Sequence, residues 1–412
     1  MPAIKYQELK RRYELDGPEK TVAHLSEALQ GKQLRPADFS IKDLAEALVP
    51  DGREWVRQMD PRVANGARLA EAVGAVDTSA FANITNQLVS AAVLQGYESP
   101  MFVLSGLIPA TPTRRDGEKI PGMGKLAESD VESIQPGMPY PLAGIGEDYI
   151  ETPPTIKRGL IVPITKEAIF FDTTNLILKR ANEVGEVVGL NKEKRLCDLL
   201  VGVTNNHKWR GTTYDTYSAD GSTGHASGTV LPNDSDAGLI NKLTSNELVD
   251  WTDVDAAEQL FDNIVDPSTS EPVILRAKQV IVMPAYRSAM KRIANATAIE
   301  YTQIISTGAN AYSAPIKTIL SNPLSNYVWY ESVFAYRRLL TASVSAANAR
   351  KYWFLGDIAG AFAYMENWPI TVEQDDANSD AAFTRDIVMQ FKASERGAAV
   401  VMDPRKIVMC TG

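Results

Sequence analysis

The sequence predicts an α+β protein whose elements are laid along one long helix. Three observations predict it. Residues 156–202 read as a strand that runs into an unbroken helical stretch. Residues 111–154 are dense in proline and glycine and short of bulky apolar side chains. Residues 384–397, TRDIVMQFKASERG, alternate apolar and polar side chains as a strand does.

The strand comes first. Leu160, Val162 and Ile164 stand at alternate positions and so share one face of a pleated ribbon. Pro163 cannot donate a ladder hydrogen bond, which predicts an edge strand or a bulge. Asp172 offers its carboxylate to the free N–H groups of a helix start. Ile177, Ala181, Val184, Val188, Cys197 and Leu200 then mark an apolar stripe. Lys179, Arg180, Glu186, Lys192, Glu193, Lys194 and Arg195 are expected to cover the other sides. At a rise of about 1.5 Å per residue such a helix would be roughly 40 Å long, a beam for other elements.

Taken in order, residues 1–75 read as helices over 6–13, 20–28 and 40–48, with Ser40 and Asp43 as a capping-box start. Their apolar positions are sparse, so they are expected to lean on another body, a second subunit being one candidate. Residues 81–96 form a stronger helix, with Ile84, Leu88, Ala91 or Ala92, and Gln95 one turn apart. The stretch 111–154 is too long for an idle loop. It reads as an extended two-stranded arm, about twenty residues out and twenty back, reaching about 60 Å at a strand rise of ~3.3 Å. Disorder is the plainer alternative. After the beam, residues 203–236 read as loops with one hairpin. Residues 251–265 read as a helix capped by Thr252, with Asp255 near its third position. A buried strand at 280–283 precedes a helix at 285–295 that opens on Pro284. Strands follow at 328–333, 350–355 and 370–373, with Asp357 capping a short helix through Tyr364. In the tail Ile387, Met389, Phe391 and Ala393 share a face that needs a partner, and the beam helix is the natural one; 398–402 and 407–409 continue the pattern.

The totals exclude several classes. With 412 residues and 44% hydrophobic content the chain can bury a large core and form two or three domains. No apolar run is long enough to span a membrane, and no signal peptide opens the chain. Two cysteines, Cys197 and Cys410, do not make a disulfide framework and are expected to be free thiols in a reducing interior. The net charge of −9, with no Lys/Arg block, argues against a tight grip on nucleic acid, though not against a wall that stands beside it. The three histidines, His24, His207 and His225, form no HExxH and no cysteine pair has metal spacing, so no metal site is expected. Gly122-Met-Gly-Lys lacks the rest of a phosphate loop, and no GxSxG occurs. Asp220, Ser222 and His225 could be drawn as a triad but read better as solvated turn residues. The aromatics from Trp209 to Tyr217 could stack on bases, but without accompanying positive charge they read as packing residues. No catalytic residue and no cofactor is expected.

The order of elements, amphipathic helix, arm, strand into beam, mixed domain and returning β tail, resembles the major capsid protein of tailed double-stranded DNA phages, the Hong Kong 97-like phage capsid fold. KRGLIVPITKEAIFFDTTNLIL resembles that family's strand into its spine helix, YWFLGDIAGAFAYMENWPITVEQD its strand, Gly-Asp, helix and strand unit, and FTRDIVMQFKASERGAAVVMDPRKIV its closing segment. The likeness covers roughly residues 80–412. It implies a helical N-arm at 1–80 and a peripheral domain with the spine helix at 81–110, 155–202 and 381–412. It also implies an extended loop at 111–154, and an axial domain at 203–380 with an inserted loop at 203–236. It implies a shell subunit that assembles with itself into hexamers and pentamers of an icosahedron around double-stranded DNA, made in the host cytoplasm and placed in the virion. Portal, scaffold or decoration proteins are possible further partners. Many relatives lose an N-terminal scaffolding segment to a protease; here residues 1–75 are expected to be retained. The contacts between subunits are expected at Arg114, Arg115, Glu118, Lys119, Lys125, Glu147 and Asp148 of the arm and at Trp209 and Arg210. Some relatives join a loop lysine to a neighbour's asparagine, and the resemblance makes Lys119 or Lys125 with Asn367 or Asn378 the candidates here, although lysines on an exposed arm are usually solvated. An encapsulin-like compartment is the alternative within the fold, and a soluble cytosolic enzyme with a glycine-rich lid the alternative outside it.

Overall fold

A computed structural model describes residues 6–31, 34–36, 39–48, 53, 75–123, 134, 136, 148–165, 176–221, 230–233, 238–267, 269–303, 316–322, 324, 327–374 and 387–412. The described helices are α1 (Tyr6–Asp16), α2 (Pro18–Gln30), α3 (Ile41–Leu48), α4 (Ala75–Tyr97), α5 (Val103–Leu107), α6 (Leu176–Leu200), α7 (Trp251–Asp262), α8 (Arg287–Asn295), α9 (Val333–Thr341), α10 (Ala346–Ala349) and α11 (Ile358–Ala361). The strands are β1 (Ala110–Pro112), β2 (Lys119–Pro121), β3 (Tyr149–Glu151), β4 (Ile156–Thr165), β5 (His207–Trp209), β6 (Thr212–Tyr214), β7 (Lys242–Leu243), β8 (Gln279–Val282), β9 (Ala298–Gln303), β10 (Ile316–Ser321), β11 (Val328–Glu331), β12 (Trp353–Gly356), β13 (Phe362–Gln374), β14 (Ile387–Val401) and β15 (Ile407–Cys410). The chain is therefore α+β. No described helix is long and apolar enough to cross a membrane.

Two compact units divide it. The first comprises Met1–Phe102, Ile156–Lys192 and Asn367–Gly397. Its core joins Ile41, Leu44 and Leu48 of α3, Ile84, Leu88 and Ala92 of α4, Ile177, Leu178 and Ala181 of α6, and Phe391 and Ala393 of β14. The tail's apolar face does meet the beam helix. The N-terminal helices do not wait for a second subunit: Leu9 and Tyr13 of α1 and Leu25 of α2 pack into this core of their own chain. Glycines decide how α4 and α6 meet. A Cβ on Gly96 would lie 2.1 Å from the Asn182 carbonyl oxygen, and one on Gly185 2.0 Å from that of Val93. Only glycine permits such backbone approach. Asn182 fastens the crossing by donating from Nδ2 to the Ala92 carbonyl at 3.1 Å. β4 pairs antiparallel with β14, Val162 opposite Phe391, and lies at the sheet edge, so Pro163 sits where its missing N–H is tolerated. Val162 and Ile164 are buried, while Leu160 is exposed.

The second unit comprises Val103–Thr155, Glu193–Glu366 and Ala398–Gly412. Its centre is a five-stranded mixed sheet in the order β11-β8-β12-β15-β7. Ile281, Phe354, Ile407 and Met409 face one cluster, with Leu196, Cys197 and Leu200 of α6 and residues of α5, α9 and α11. Val280, Val282, Trp353, Leu355, Val408 and Cys410 face the other, with Val254, Ala257 and Phe261 of α7 and Met290 and Ile293 of α8. Burial on both faces explains why these strands read as continuous apolar runs rather than alternating ones. Both cysteines are free and buried. Burial pushes the Cys410 thiol up to about 12 and that of Cys197 well above its usual range.

Several expectations need correction. Lys192 and Glu193 do not cover the solvent side of the beam. Glu193 is fully buried. Its carboxylate accepts from the Leu104 and Ser105 backbone N–H groups and from the Ser105 hydroxyl, supplying the cap that the start of α5 lacks. Lys192 lies over the Tyr97 ring at 5.2 Å. The cap of α7 is Asp250, not Thr252: Asp250 accepts from Thr252 N at 2.8 Å and Asp253 answers from the third helical position, a full capping box. The strand at 328 stops at Glu331 because Ser332 caps α9, a helix the sequence reading lacks. Helix α11 ends at Ala361, and Phe362 and Tyr364 start β13 instead. The helix over 81–96 begins earlier, at Ala75. Asp172, Ser222, His225, Asn378 and most of the arm lie outside the described residues.

Candidate functional site

Of residues 111–154, expected to form an arm, the structure describes chiefly the two ends, here called the root. β2 and β3 pair antiparallel, with Lys119 opposite Glu151, Ile120 opposite Ile150 and Pro121 opposite Tyr149. β3 then pairs with β5, and β5 with β6, giving a four-stranded sheet in the order β2-β3-β5-β6. The expected hairpin after the beam is β5 and β6. Its two-residue turn is Arg210-Gly211, with φ of 49° and 83°. Two positive φ values match the right-handed twist of short hairpins, and glycine takes the second at no steric cost.

Polar side chains lock this sheet together. Asp148 accepts from Trp209 Nε1 and from Arg210 Nε, the latter at 3.1 Å. The Arg210 guanidinium lies 4.4 Å from the Trp209 ring centre, a cation–π contact. The return strand is thus tied to the hairpin tip one residue before β3 begins. Across the sheet Glu151 pairs with Lys208 and with Lys119, the latter at 3.6 Å. The hydrogen bond from Lys208 holds the Glu151 carboxyl below its ordinary range, against the pull of burial, and Lys119 adds to it. Lys119 also lies 4.0 Å from the Tyr149 ring centre. Glu118 donates from its N–H to Thr152 Oγ1 at 2.8 Å and accepts from Thr113 Oγ1 at 2.6 Å.

The C-terminal segment of the same unit clamps the root from below. Asn206 donates to the Ala399 carbonyl at 2.8 Å and accepts from Val401 N–H at 3.0 Å. His207 Nδ1 lies 3.1 Å from the Val401 carbonyl oxygen, which can only accept, so the proton sits on Nδ1. Burial lowers the pKa of this imidazole and keeps it neutral. Arg405 and Asp403 form a buried bidentate pair at 3.0 and 3.1 Å, and Arg405 Nη2 reaches the Met123 carbonyl of the outgoing strand at 3.1 Å. A bidentate guanidinium–carboxylate pair fixes direction as well as distance.

Of the residues expected at subunit contacts, the structure brings Lys119, Asp148, Trp209 and Arg210 into this one sheet, with partners in their own chain, and places Glu118 beside it. Arg114 and Arg115 lie on the exposed turn before it. Lys125 and Glu147 lie outside the described residues. Sequence reasoning missed Glu151, Lys208, Asn206, Asp403 and Arg405. Opposite charges at Lys119, Glu151 and Lys208 are a cross-strand signal, but it becomes visible only once the register is known. Among the described residues no group of His, Cys, Asp or Glu is arranged to hold a metal ion.

Residues 124–147 connect the two strands of this root, which is carried by an α/β body whose central sheet is buried on both faces. Residues 150–410, more than half of the chain, match the model of the family described as phage capsid protein. The chain belongs to that family, and it is a shell-forming structural protein. No curated protein matches it. Among solved structures it is similar to the cyanophage Pam1 capsid, at 14% identity over 72% of this chain and 84% of that one, with a TM-score of 0.43. It is similar to a virus-like particle from Pyrococcus furiosus, at 12% identity over 78% and 97%, with a TM-score of 0.39. It is similar as well to an encapsulin complex from Synechococcus elongatus PCC 7942, at 10% identity over 76% and 87%, with a TM-score of 0.40.

Proposed function

We propose that this capsid protein is the major head subunit of a phage. It assembles into hexamers and pentamers of an icosahedral shell of the Hong Kong 97-like kind around double-stranded DNA, after synthesis in the host cytoplasm. The observation that carries the reading is the arm root. Two paired strands, β2 and β3, flank residues 122–148, and the Asp148 and Arg405 contacts fix where that stretch begins and ends. A device that aims an excursion is useful only if something lies where it is aimed. On this reading residues 111–154 form the extended loop, 81–110, 155–202 and 381–412 the peripheral domain, 203–380 the axial domain and 1–80 the N-arm. Arg114, Arg115, Lys125 and Glu147 meet the neighbouring subunit, while Glu118, Lys119, Asp148, Trp209 and Arg210 hold the loop at its angle. Shell building is geometry and binding, so no side chain of the root is assigned a catalytic role.

The test is electron microscopy of the purified protein together with the content of its particles. Closed particles that hold nucleic acid when isolated from infected cells are the expected result. Closed particles filled instead with a cargo enzyme would replace the reading by an encapsulin-like compartment. A small discrete oligomer at all concentrations would overturn it.

A further inference from the structure

Two helices of the second unit present outer faces of opposite sign. α7, WTDVDAAEQLFD, contains no lysine or arginine, and α8, RSAMKRIAN, contains no aspartate or glutamate. Both bury apolar side chains in the same cluster, α7 through Val254, Ala257 and Phe261, α8 through Met290 and Ile293. Their charged stripes therefore point away from the body. On α7 the exposed stripe is Asp255, Gln259 and Asp262, with Glu258 beside it. On α8 it is Arg287, Lys291 and Arg292.

These charges are poorly matched within the chain. Arg287 is paired with Glu331. Lys291 and Arg292 have no ion pair among the described residues, and neither has Asp262. Among the described residues Asp255 accepts the carboxamide of Gln259, at 2.9 Å, and Glu258 accepts from the Tyr327 hydroxyl. Asp255, Glu258 and Asp262 stand three and four residues apart, where like charges repel by a few tenths of a kcal/mol per pair. Arg276 lines a cleft beside them, with Glu258, Asp262 and Ile274. Ile274 is 87% exposed at the rim of the acidic face, an apolar side chain left uncovered among the described residues.

We propose that α7 of one copy docks against α8 of the next, with Ile274 covered at the centre of the contact. The proposal rests on the reading of the chain as a shell subunit. The occupant is a second copy because each copy carries both halves of the complementary pair at different places. A contact that uses the acidic face of one copy and the basic face of its neighbour is heterologous. It leaves one face of each sign free at either end, and so repeats around a ring until the ring closes. Complementary potentials also steer such encounters and exclude the reversed approach, in which acid meets acid.

Three variants of the full chain test it: Lys291→Glu with Arg292→Glu, Asp255→Lys with Asp262→Lys, and all four together. All positions are exposed, and unchanged circular dichroism confirms folding. Sedimentation velocity at low salt reads the assembled fraction. Each reversal pair alone is expected to lower it roughly tenfold or more, and the fourfold swap is expected to restore it. Assembly unaffected by either reversal would overturn the inference, and so would a fourfold swap that stays as defective as its parents. Failure of the unsubstituted chain to assemble at all would instead sink the shell reading itself.

Discussion

The crossing of α4 with α6 and the root of the arm solve the same problem, holding two segments at a fixed angle, by opposite means. At the crossing the angle comes from absence. Gly96 and Gly185 carry no side chain, so the two backbones touch and the surrounding apolar stripe closes over them. At the root it comes from directed polar contacts: Asp148 to the hairpin tip, Arg405 to the Met123 carbonyl, Asn206 and His207 to the tail. Packing holds parts that stay inside one body. At the root Ile150 and Trp209 are also buried in the apolar cluster, with Ile120, Met123 and Tyr214 against it, and polar pairs of fixed geometry add direction to that packing.

The comparison can be broken at several points. Arg405→Ala would leave the buried Asp403 carboxylate with Lys406, at 3.9 Å, as its remaining cation among the described residues and release the Met123 carbonyl. A loss of about 4 kcal/mol in unfolding free energy is expected, since breaking a buried pair strands a charge. Chemical denaturation would read it. Gly185→Ala drives a methyl into the Val93 carbonyl and should cost about 3 kcal/mol, with α4 displaced. The same change at Gly211, where a Cβ meets nothing within 4 Å, should cost less, through its φ of 83° alone. Trp209→Phe removes the indole donor to Asp148 and puts a smaller ring in a buried site; about 2 kcal/mol is expected, read as faster hydrogen exchange in β3 and β5.

Acidity separates the two regions without mutation. The folded state holds His207 neutral below its ordinary pKa, whereas the unfolded chain takes up a proton at about 6.5. Stability is therefore fully present above that value and declines as pH falls from it toward the lowered folded value. Glu151 acts lower. Its carboxyl titrates below the ordinary glutamate range, so its contribution is present above that range and lost as pH falls through the lowered value. Exchange at the root should respond in both windows and exchange at the α4–α6 crossing in neither. His207→Phe should abolish the upper response.

Much of the body is legible in the sequence, because periodicity reports burial directly. The beam helix, the tail's apolar face, the run VIVM and the proline on an edge strand all follow from it. The errors have physical sources. Glu193 is a charged residue on a helix, and nothing local says that the free N–H groups of α5 lie beside it. Ser332 is one polar residue in a β-rich run, and its role as a cap appears only with the helix it starts. The glycines Gly185 and Gly189, four apart within a helix, were a readable sign of close packing. The excursion read from composition falls mostly outside the described residues; the hairpin at the candidate site is evident from Arg210-Gly211. The clamp through Arg405 is not, because it joins residues 282 positions apart.

The central claim is that residues 124–147 serve contacts between copies and that the described body stands without them. Replacing that stretch by a short glycine-serine turn, with β2, β3 and Asp148 kept, and comparing the variant with the full chain by thermal unfolding and electron microscopy tests it most directly. The account predicts an unchanged melting transition and no closed shells. Closed shells indistinguishable from those of the full chain would contradict it.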